Sequence, residues 1–328
     1  MRKYVIKRLL QLLPILLGIT FLSFAMMRIA GSDAITEKYS NAGAAVSQEV
    51  IDAARAELGL DKPYIVQYFS WLGGILTGNM GTSYVSGRDV FGTFVSKLPA
   101  TLLLAAMSIA LTVVISIPLG VLAAVAHEKS AAHRKPVKRF LFGLADIIIR
   151  FFSFVGNSLP GFFVALLLIE FFSIQLGILP VIADGVDLRS AVMPTLTLAI
   201  AMSAKYLRQV RATVLDELNK DYVLGAKARG VRESVTLWGS VIRSSMLTIV
   251  TLLALSIGSL LGGTAIIETI FMWDGVGKLA VDSILMRDYP LIQAYVVWMA
   301  IIFVAVNLVT DILYHALDPR VRLGVSRD

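Results

Sequence analysis

Long apolar stretches without Asp, Glu, Lys or Arg interrupt the 328-residue chain and constrain its fold more than any other feature. A bilayer core of about 30 Å is crossed by about 20 apolar helical residues. Because hydrocarbon offers no hydrogen-bond partner to the backbone, such stretches form helices, and we predict an all-α membrane protein with six transmembrane helices. The predicted spans are Leu9–Met27, Leu98–Ala126, a third around Phe151–Ile169, Ser190–Ala204, Ser244–Ile267 and Tyr289–Thr310. The third is expected to run from Phe140 to Ile174 with a kink at Pro160.

The overall composition excludes several classes of protein. Hydrophobic residues make up 57% of the chain and charged residues 16%, whereas soluble domains carry about 25% charged residues. This balance argues against a soluble enzyme, a nucleic-acid-binding domain and a disordered chain. Because the chain has no cysteine, disulfides and thiolate metal sites are excluded as well.

The basic residues predict the orientation of the spans. With the N-terminus in the cytoplasm, the inner segments hold 20 Lys and Arg in 74 residues, against 9 in 109 for the outer segments. The inner segments are 1–8, 127–139, 205–243 and 315–328, and the outer ones are 28–98, 177–190 and 267–290. Basic residues concentrate on cytoplasmic loops, so both termini are predicted to be cytoplasmic. The bias also explains the net charge of +7 without nucleic acid.

The predicted spans divide the chain into four parts. Residues 1–30 form a cytoplasmic tail and the first span, which we expect to be retained because no clean signal-peptide cleavage site follows it. Residues 31–98 form an extracytoplasmic segment with amphipathic helices. It is interpreted as a lid on the span ends, a docking surface for an external partner, or both. Residues 99–314 hold five spans and the inner loop 205–243, and 315–328 form a cytoplasmic tail.

Within the outer segment, Ser47 is expected to cap a helix that runs to Leu58 and stops at Gly59. A second amphipathic stretch follows Pro63, and Gly73, Gly74, Gly78 and Gly81 are expected to loosen the chain after it.

The inner loop 205–243 carries the clearest local pattern. Leu215, Leu218, Tyr222, Ala226 and Arg229 recur at helical spacing, and Gly230 suits a helix stop. Residues 231–243 are expected to return as a second helix into the fifth span. Small residues at 225, 226 and 228 would let the short helix lie close against another surface. From the residues alone, the loop is either a basic segment near anionic lipid or a docking element.

The segment Ala226-Lys227-Ala228-Arg229-Gly230 resembles the Ala-x-Ala-x-Gly core of the coupling helix in ATP-binding-cassette importer permeases. Weaker matches to the same family occur in order along the chain. They include Leu58-Gly59-Leu60-Asp61, Leu98-Pro99-Ala100-Thr101, Ser158-Leu159-Pro160-Gly161-Phe162, Gly262-Gly263-Thr264, Ile267-Glu268 and Arg287-Asp288-Tyr289-Pro290. Together they resemble the branch that imports dipeptides, oligopeptides or nickel.

This resemblance implies a type I importer permease fold in a prokaryotic inner or plasma membrane. It implies a second, homologous permease, two cytoplasmic ATPases that hold ATP and Mg, and an extracytoplasmic substrate-binding protein. The implied ATPase-coupling helix contains Asp221, Tyr222, Ala226, Ala228, Arg229 and Gly230. The chain departs from the family pattern at Thr248 and Asp274, where proline is usual. The departure at Thr248 puts in doubt whether the chain breaks before the fifth span. The departure at Asp274 puts in doubt whether the outer loop has the family's conformation.

No catalytic or cofactor motif accompanies this pattern. Gly275-Val276-Gly277-Lys278 lacks the upstream glycine and the following hydroxyl residue of a phosphate loop, so we expect neither ATP hydrolysis nor a cofactor in this chain. Its three histidines have no metal-ligand spacing, and no metal site is expected.

Several residues within the spans have both a structural and a functional interpretation. Asp146 and Arg150 stand four residues apart, and they, with Glu170 and Asp311, are predicted buried charges that either pair or serve transport. Gly258, Gly262 and Gly263 predict either close helix packing or the lining of a translocation path. Pro160 and Glu268 are further path candidates.

The substrate and the transport class remain open at this point. The spacer before Leu58 and residues 81–90 resemble nickel-type permeases, which favours nickel or a nickel chelate, with short peptides as the alternative. From a different class, an ion-gradient-driven carrier would need Asp146, Arg150 or Glu170, and a non-transporting scaffold would use 28–98 as its surface. Neither accounts for the Ala226–Gly230 element.

Overall fold

The computed structural model describes residues 2–29, 35, 47–57, 59–132, 135–183 and 185–317. Within these ranges the regular structure is helical, and an isolated antiparallel bridge joins Thr82 to Asp89. The helices in chain order are α1 Arg2–Ile29, α2 Gln48–Glu57, α3 Tyr64–Leu76, α4 Val90–Ala132, α5 Pro136–Ser158, α6 Gly161–Leu168, α7 Leu188–Leu218, α8 Asp221–Ala228, α9 Glu233–Thr236, α10 Ile242–Ile270, α11 Val276–Leu285 and α12 Tyr289–Leu317. A π-helical turn, Ile169–Gln175, continues α6, and another, Leu237–Val241, joins α9 to α10.

Four helical stretches in the described part of the chain are long and apolar enough to cross a membrane. They are Val90–Ala131, Pro136–Ser158, Glu233–Leu253 and Tyr289–Thr310. Leu13–Ile29 and Gly161–Gln175 are shorter apolar helices. The prediction of six spans is therefore not confirmed as a count. Five of the six predicted stretches lie within single helices, and the third is interrupted at Leu159 and Pro160.

The third predicted span is broken rather than kinked. α5 ends at Ser158, and Leu159 and Pro160 are extended, with ψ of 130° and 139°. The proline ring disfavours a helical conformation at the preceding residue, so the chain stops and restarts as α6 at Gly161. In contrast, α10 runs unbroken through Thr248, where the missing family proline had left a break in doubt.

The outer segment agrees with most of its sequence pattern. α2 begins after Ser47, and Gly59, with a φ of +66°, follows its end as the predicted terminator. α3 is the second predicted helix. However, Gly73 and Gly74 lie inside α3 rather than after it, whereas Gly78 and Gly81 follow it with positive φ.

By its internal contacts the chain forms two compact units, and the first comprises Met1–Leu102 and Met272–Leu308. Here α1 packs on α3, with the Thr20 hydroxyl 3.1 Å from that of Tyr68. The loop before α11 is anchored by Trp273, whose indole N–H donates to the Ala100 carbonyl at 3.0 Å. An ion pair between Lys97 and Asp274 holds the same loop, so the missing family proline is replaced by an electrostatic contact.

The second unit comprises Leu103–Phe271 and Val309–Asp328. Its core is built mostly of β-branched side chains from α4, α7, α8, α10 and the π-helical turn before α10. The closest approach joins α4 to α7 at Gly120, where a Cβ would stand 2.6 Å from Val210 Cγ1. On the other side of α7, the Ser153 hydroxyl of α5 donates to the Ala204 carbonyl at 2.5 Å. This unit carries the inner loop, and with it the candidate site.

Candidate functional site

The strongest sequence pattern forms a short helix, α8, with a defined stop. Gly230 adopts a φ of +73°, and its N–H donates to the Lys227 carbonyl at 3.0 Å. The N–H of Val231 reaches back to the Ala226 carbonyl at 3.1 Å. These two hydrogen bonds form a Schellman motif, in which a left-handed residue ends the helix. The predicted stop at Gly230 is therefore confirmed.

The residues that recur at helical spacing before Gly230 belong to two helices, not one. α7 ends at Leu218, and Lys220 has the extended ψ of 150° before α8 begins. Leu215 and Leu218 thus belong to α7, whereas Tyr222 and Ala226 belong to α8. The turn lets α8 fold back against the unit instead of continuing the axis of α7.

One face of α8 is buried in its own chain. Val223 packs into the core that includes Val210, Val214 and Val241, and Ala226 is only 8% exposed. The small side chain of Ala226 therefore brings α8 close to the rest of the inner loop. Ala228 is exposed, so of these two alanines only Ala228 is available to another molecule.

The N-terminal end of α8 is held by a buried carboxylate. Glu217, near the end of α7, accepts hydrogen bonds from the Tyr222 hydroxyl at 3.0 Å and from Lys220 Nζ at 2.5 Å. Partial burial, together with the adjacent Glu217 carboxylate, raises the pKa of Tyr222 to about 12. The phenol is therefore a protonated donor throughout the physiological range.

The C-terminal end of α8 is tied to α4. Lys227 Nζ lies 3.2 Å from Glu128 Oε1, close to the C-terminal end of α4. With the Glu217 contacts, α8 is thus attached at both ends to longer helices.

The opposite face of the loop is apolar and open. Leu224, Val231, Val235 and Trp238 are exposed, and the Trp238 side chain reaches 69%. A groove of about 430 Å³ lies beside them, lined by residues that include Val125, Leu218, Lys227 and Trp238. The groove is also lined by acidic and basic side chains, and exposed apolar surface with a polar rim is typical of sites where macromolecules bind.

A second charged cluster lies in α5. Asp146 is 2% exposed and pairs with Arg150, as the i, i+4 spacing predicts. It also receives two hydrogen bonds from Arg211 of α7, at 2.7 and 2.9 Å, and lies 3.2 Å from His127 Nδ1. Sequence spacing could not reveal these two partners, because they stand 65 and 19 residues away.

Comparison with known proteins gives this geometry a family. Residues 116–323 match the model of the binding-protein-dependent transport system inner membrane component, and residues 1–105 match the N-terminal model of the same transport system membrane component. The chain belongs to this family. It is an importer permease of the ATP-binding-cassette class, from the peptide and nickel branch, and a multi-pass protein of the inner membrane.

Relatives of the permease match it over nearly their whole length. The oligopeptide transport system permease protein AppB of Bacillus subtilis is 38% identical over 98% of this chain and 99% of its own. The glutathione transport system permease protein GsiC of Pectobacterium atrosepticum is 36% identical over the same shares. The fold is similar to that of the MetNI methionine ABC transporter, solved in inward-facing conformations, with a TM-score of 0.55 at 15% identity over 70% of this chain and 97% of that one.

Two of the three predicted glycines in α10 of the permease do not pack against another helix of the described chain. Gly262 and Gly263 are exposed, and an added Cβ at either would meet no described atom within 4 Å. Gly258 is partly buried. Close packing by Gly262 and Gly263 within the described part of the chain is therefore wrong, because that face of α10 is open.

The remaining predicted residues are not brought together. Pro160 separates α5 from α6, and Glu268 is fully buried in α10. Glu170 is exposed and accepts a hydrogen bond from Gln175 at 3.2 Å, and the Arg150 side chain is 53% exposed, so the prediction of these two as buried charges is wrong for this chain. Asp311 lies in α12, but its side chain falls outside the described residues. Among the described residues, no group of three acidic or histidine side chains is arranged to hold a metal ion.

Proposed function

We propose that this permease is one of two membrane subunits of an ATP-driven importer for short peptides. A second, homologous permease completes the translocation path, two cytoplasmic ATPases hydrolyse ATP, and an extracytoplasmic binding protein delivers the cargo. Both termini and the loop 205–243 face the cytoplasm, in keeping with the excess of Lys and Arg in the inner segments.

This proposal rests on how α8 is packed and exposed. A short helix with a Schellman stop, one buried face and an exposed face that carries Leu224 and Ala228 among charged residues has the form of a docking element. In this role Val223 and Ala226 seat α8 on the permease, and Leu224 and Ala228 meet the ATPase. Asp221 and Arg229 border that contact, while Tyr222 and Gly230 fix the two ends of the helix. ATP binding then moves α8 as a rigid element and alternates access to the path.

Short peptides are the proposed cargo because the related permeases are named for oligopeptides, glutathione and peptides. Residues 81–90 resemble nickel-type permeases, so nickel or a nickel chelate is the alternative cargo to be tested. Cargo selectivity would then lie chiefly in the binding protein, since a permease path needs few ligands.

The open faces of the permease support pairing with the second permease. The glycine face of α10, with Gly262 and Gly263 exposed, allows another helix to approach closely. We assign this face to the partner permease and to the path between the two subunits. An ion-gradient carrier is disfavoured, because Glu170 is exposed and Asp146 is already neutralised by arginine.

The test is ATPase activity of the reconstituted complex, with both permeases, both ATPases and the binding protein. We expect stimulation when the binding protein is loaded with dipeptides, tripeptides or glutathione. Stimulation by Ni²⁺ or a nickel chelate alone would reassign the cargo while preserving the importer. Failure of a correctly inserted permease to assemble with any ATPase would remove the importer assignment.

A further inference from the structure

The side chain of Asp146 joins three helices of the second unit at one level. Arg211 of α7 binds both of its carboxylate oxygens, with Nε 2.7 Å from Oδ1 and Nη2 2.9 Å from Oδ2. His127 of α4 lies 3.2 Å from Oδ2, and Arg150, one turn along α5, lies 3.3 Å from the same oxygen. Two-pronged arginine–carboxylate contacts are among the strongest and most directional hydrogen bonds in proteins.

The backbones around this carboxylate are also closely packed. One turn beyond His127, the Ser130 hydroxyl donates to the Arg139 carbonyl at 3.1 Å. An added Cβ at Gly143 would lie 3.1 Å from the Ser130 hydroxyl oxygen, so α4 and α5 approach closely here. Ten residues further along α5 than Asp146, α5 and α7 approach closely at Gly156, where a Cβ would stand 2.9 Å from Ala204 Cβ. Close packing thus limits sliding of α5 on α4 beside the carboxylate, and of α5 on α7 at Gly156.

The coupling helix α8 is attached to the same place. Lys227 of α8 pairs with Glu128, the residue next to His127 on α4. The contacts therefore run from α8 through Lys227 and Glu128 to the end of α4, and from His127 through Asp146 to α5 and α7. Every residue in this series belongs to the second unit.

We propose that Asp146 is a positioning residue for energy coupling. It joins the middle of α5 to the C-terminal parts of α4 and α7, so that a displacement of α8 moves all three helices together. This inference rests on the proposed function of α8 as the element that meets the ATPase. Without the carboxylate, Arg211, Arg150 and His127 lose their shared partner. Only packing then joins α5 to α4 and α7, and α5 follows their motion less closely.

The test compares Asp146→Asn with the unaltered permease in the complete reconstituted complex. Two rates are measured together, ATP hydrolysed and peptide taken up, and their ratio is the readout. We expect Asp146→Asn to assemble and hydrolyse ATP, with peptide uptake per ATP reduced about tenfold. Asp146→Glu, which keeps the charge, is expected to restore a substantial part of the ratio.

Asp282→Asn is the matched control. Asp282 pairs with Lys278 at 2.5 Å within a single helix, α11, so the same substitution removes an ion pair that joins no two helices. Its uptake per ATP is expected to be unchanged. If Asp146→Asn lowers the amount of assembled complex, with hydrolysis and uptake falling in parallel, its role is structural and the inference is wrong. An unchanged ratio in Asp146→Asn also overturns it.

A second pair of variants avoids the buried site. Glu128 and Lys227 are both partly exposed, so their substitution does not threaten folding. We expect Glu128→Lys to lower uptake per ATP and the charge-swapped pair Glu128→Lys with Lys227→Glu to restore it. Failure of the swap to restore coupling counts against the series of contacts. If the unaltered permease binds no ATPase at all, the proposed function fails instead, which is a separate result.

Discussion

At the scale of the residue, the left-handed conformation of Gly230 decides where α8 ends. An L-residue pays about 1–2 kcal/mol for this conformation, and asparagine tolerates it better than other side chains. An added Cβ at Gly230 meets no described atom within 4 Å. Substitution there consequently changes backbone energy without a steric clash, and isolates the contribution of the turn.

We expect Gly230→Leu to insert normally but to reduce ATPase docking and peptide uptake severely, because the Schellman turn is lost. Gly230→Asn, which can keep the turn, is the control and should retain most of the uptake. Binding of the ATPase to the purified permeases measures docking directly. Equal uptake by both variants and the unaltered permease would remove Gly230 from the coupling element.

The raised pKa of Tyr222 gives a second prediction at this scale. Because the folded state favours the protonated phenol, its contribution to stability is complete below the ordinary tyrosine pKa of 10.0 and is lost as pH rises through about 12. Tyrosine ionisation is followed by absorbance at about 295 nm in the unaltered permease and in Tyr222→Phe. The difference between the two titration curves should be a single transition near pH 12. A missing signal centred at pH 10 would mean that Glu217 does not hold this phenol.

At the scale of the element, the packing of α4 on α7 depends on one glycine. A Cβ at Gly120 would stand 2.6 Å from Val210 Cγ1 and 3.0 Å from the Leu207 carbonyl oxygen. Both neighbours lie in the tightly packed core of the second unit, so neither can move away without opening the contact.

Gly120→Ala is accordingly expected to destabilise the permease by about 1–3 kcal/mol, the usual effect of overpacking. Gly262→Ala is the control, since its Cβ meets open space in this chain and alanine favours helix. The thermal unfolding midpoint of the purified single permease should fall for the first and stay or rise for the second. A similar fall in both variants would contradict the packing argument.

At the scale of the whole molecule, the predicted topology can be tested directly, because the chain contains no cysteine. Ser86 and Ser234 are exposed, the first in the outer segment and the second in the inner loop. With Ser86→Cys, an impermeant thiol reagent should label intact cells. With Ser234→Cys, labelling should require inside-out vesicles. The reverse pattern would invert the orientation that the basic residues predict.

Much of this architecture follows from the sequence by itself. Apolar length correctly predicted helices for five of the six spans, since in hydrocarbon the backbone satisfies its hydrogen bonds within a helix, and Pro160 broke the third. Local backbone chemistry predicted the stops at Gly59 and Gly230, because left-handed conformations favour glycine regardless of the surroundings. The i, i+4 spacing likewise predicted the pair Asp146 and Arg150. The coupling role of α8 and the peptide cargo stay proposals that rest on the family.

Only the tertiary structure decided which surfaces are covered. It turned Ala226 inward and left Leu224 and Ala228 outside, exposed Glu170, and opened the glycine face of α10. It also joined Asp146 to Arg211 and His127, and Glu128 to Lys227. Periodicity shows which face of a helix is the more apolar. Which neighbour covers that face depends on the relative placement of helices that are far apart in sequence. That placement is set by close packing and by long-range ion pairs, and neither leaves a local pattern in the chain.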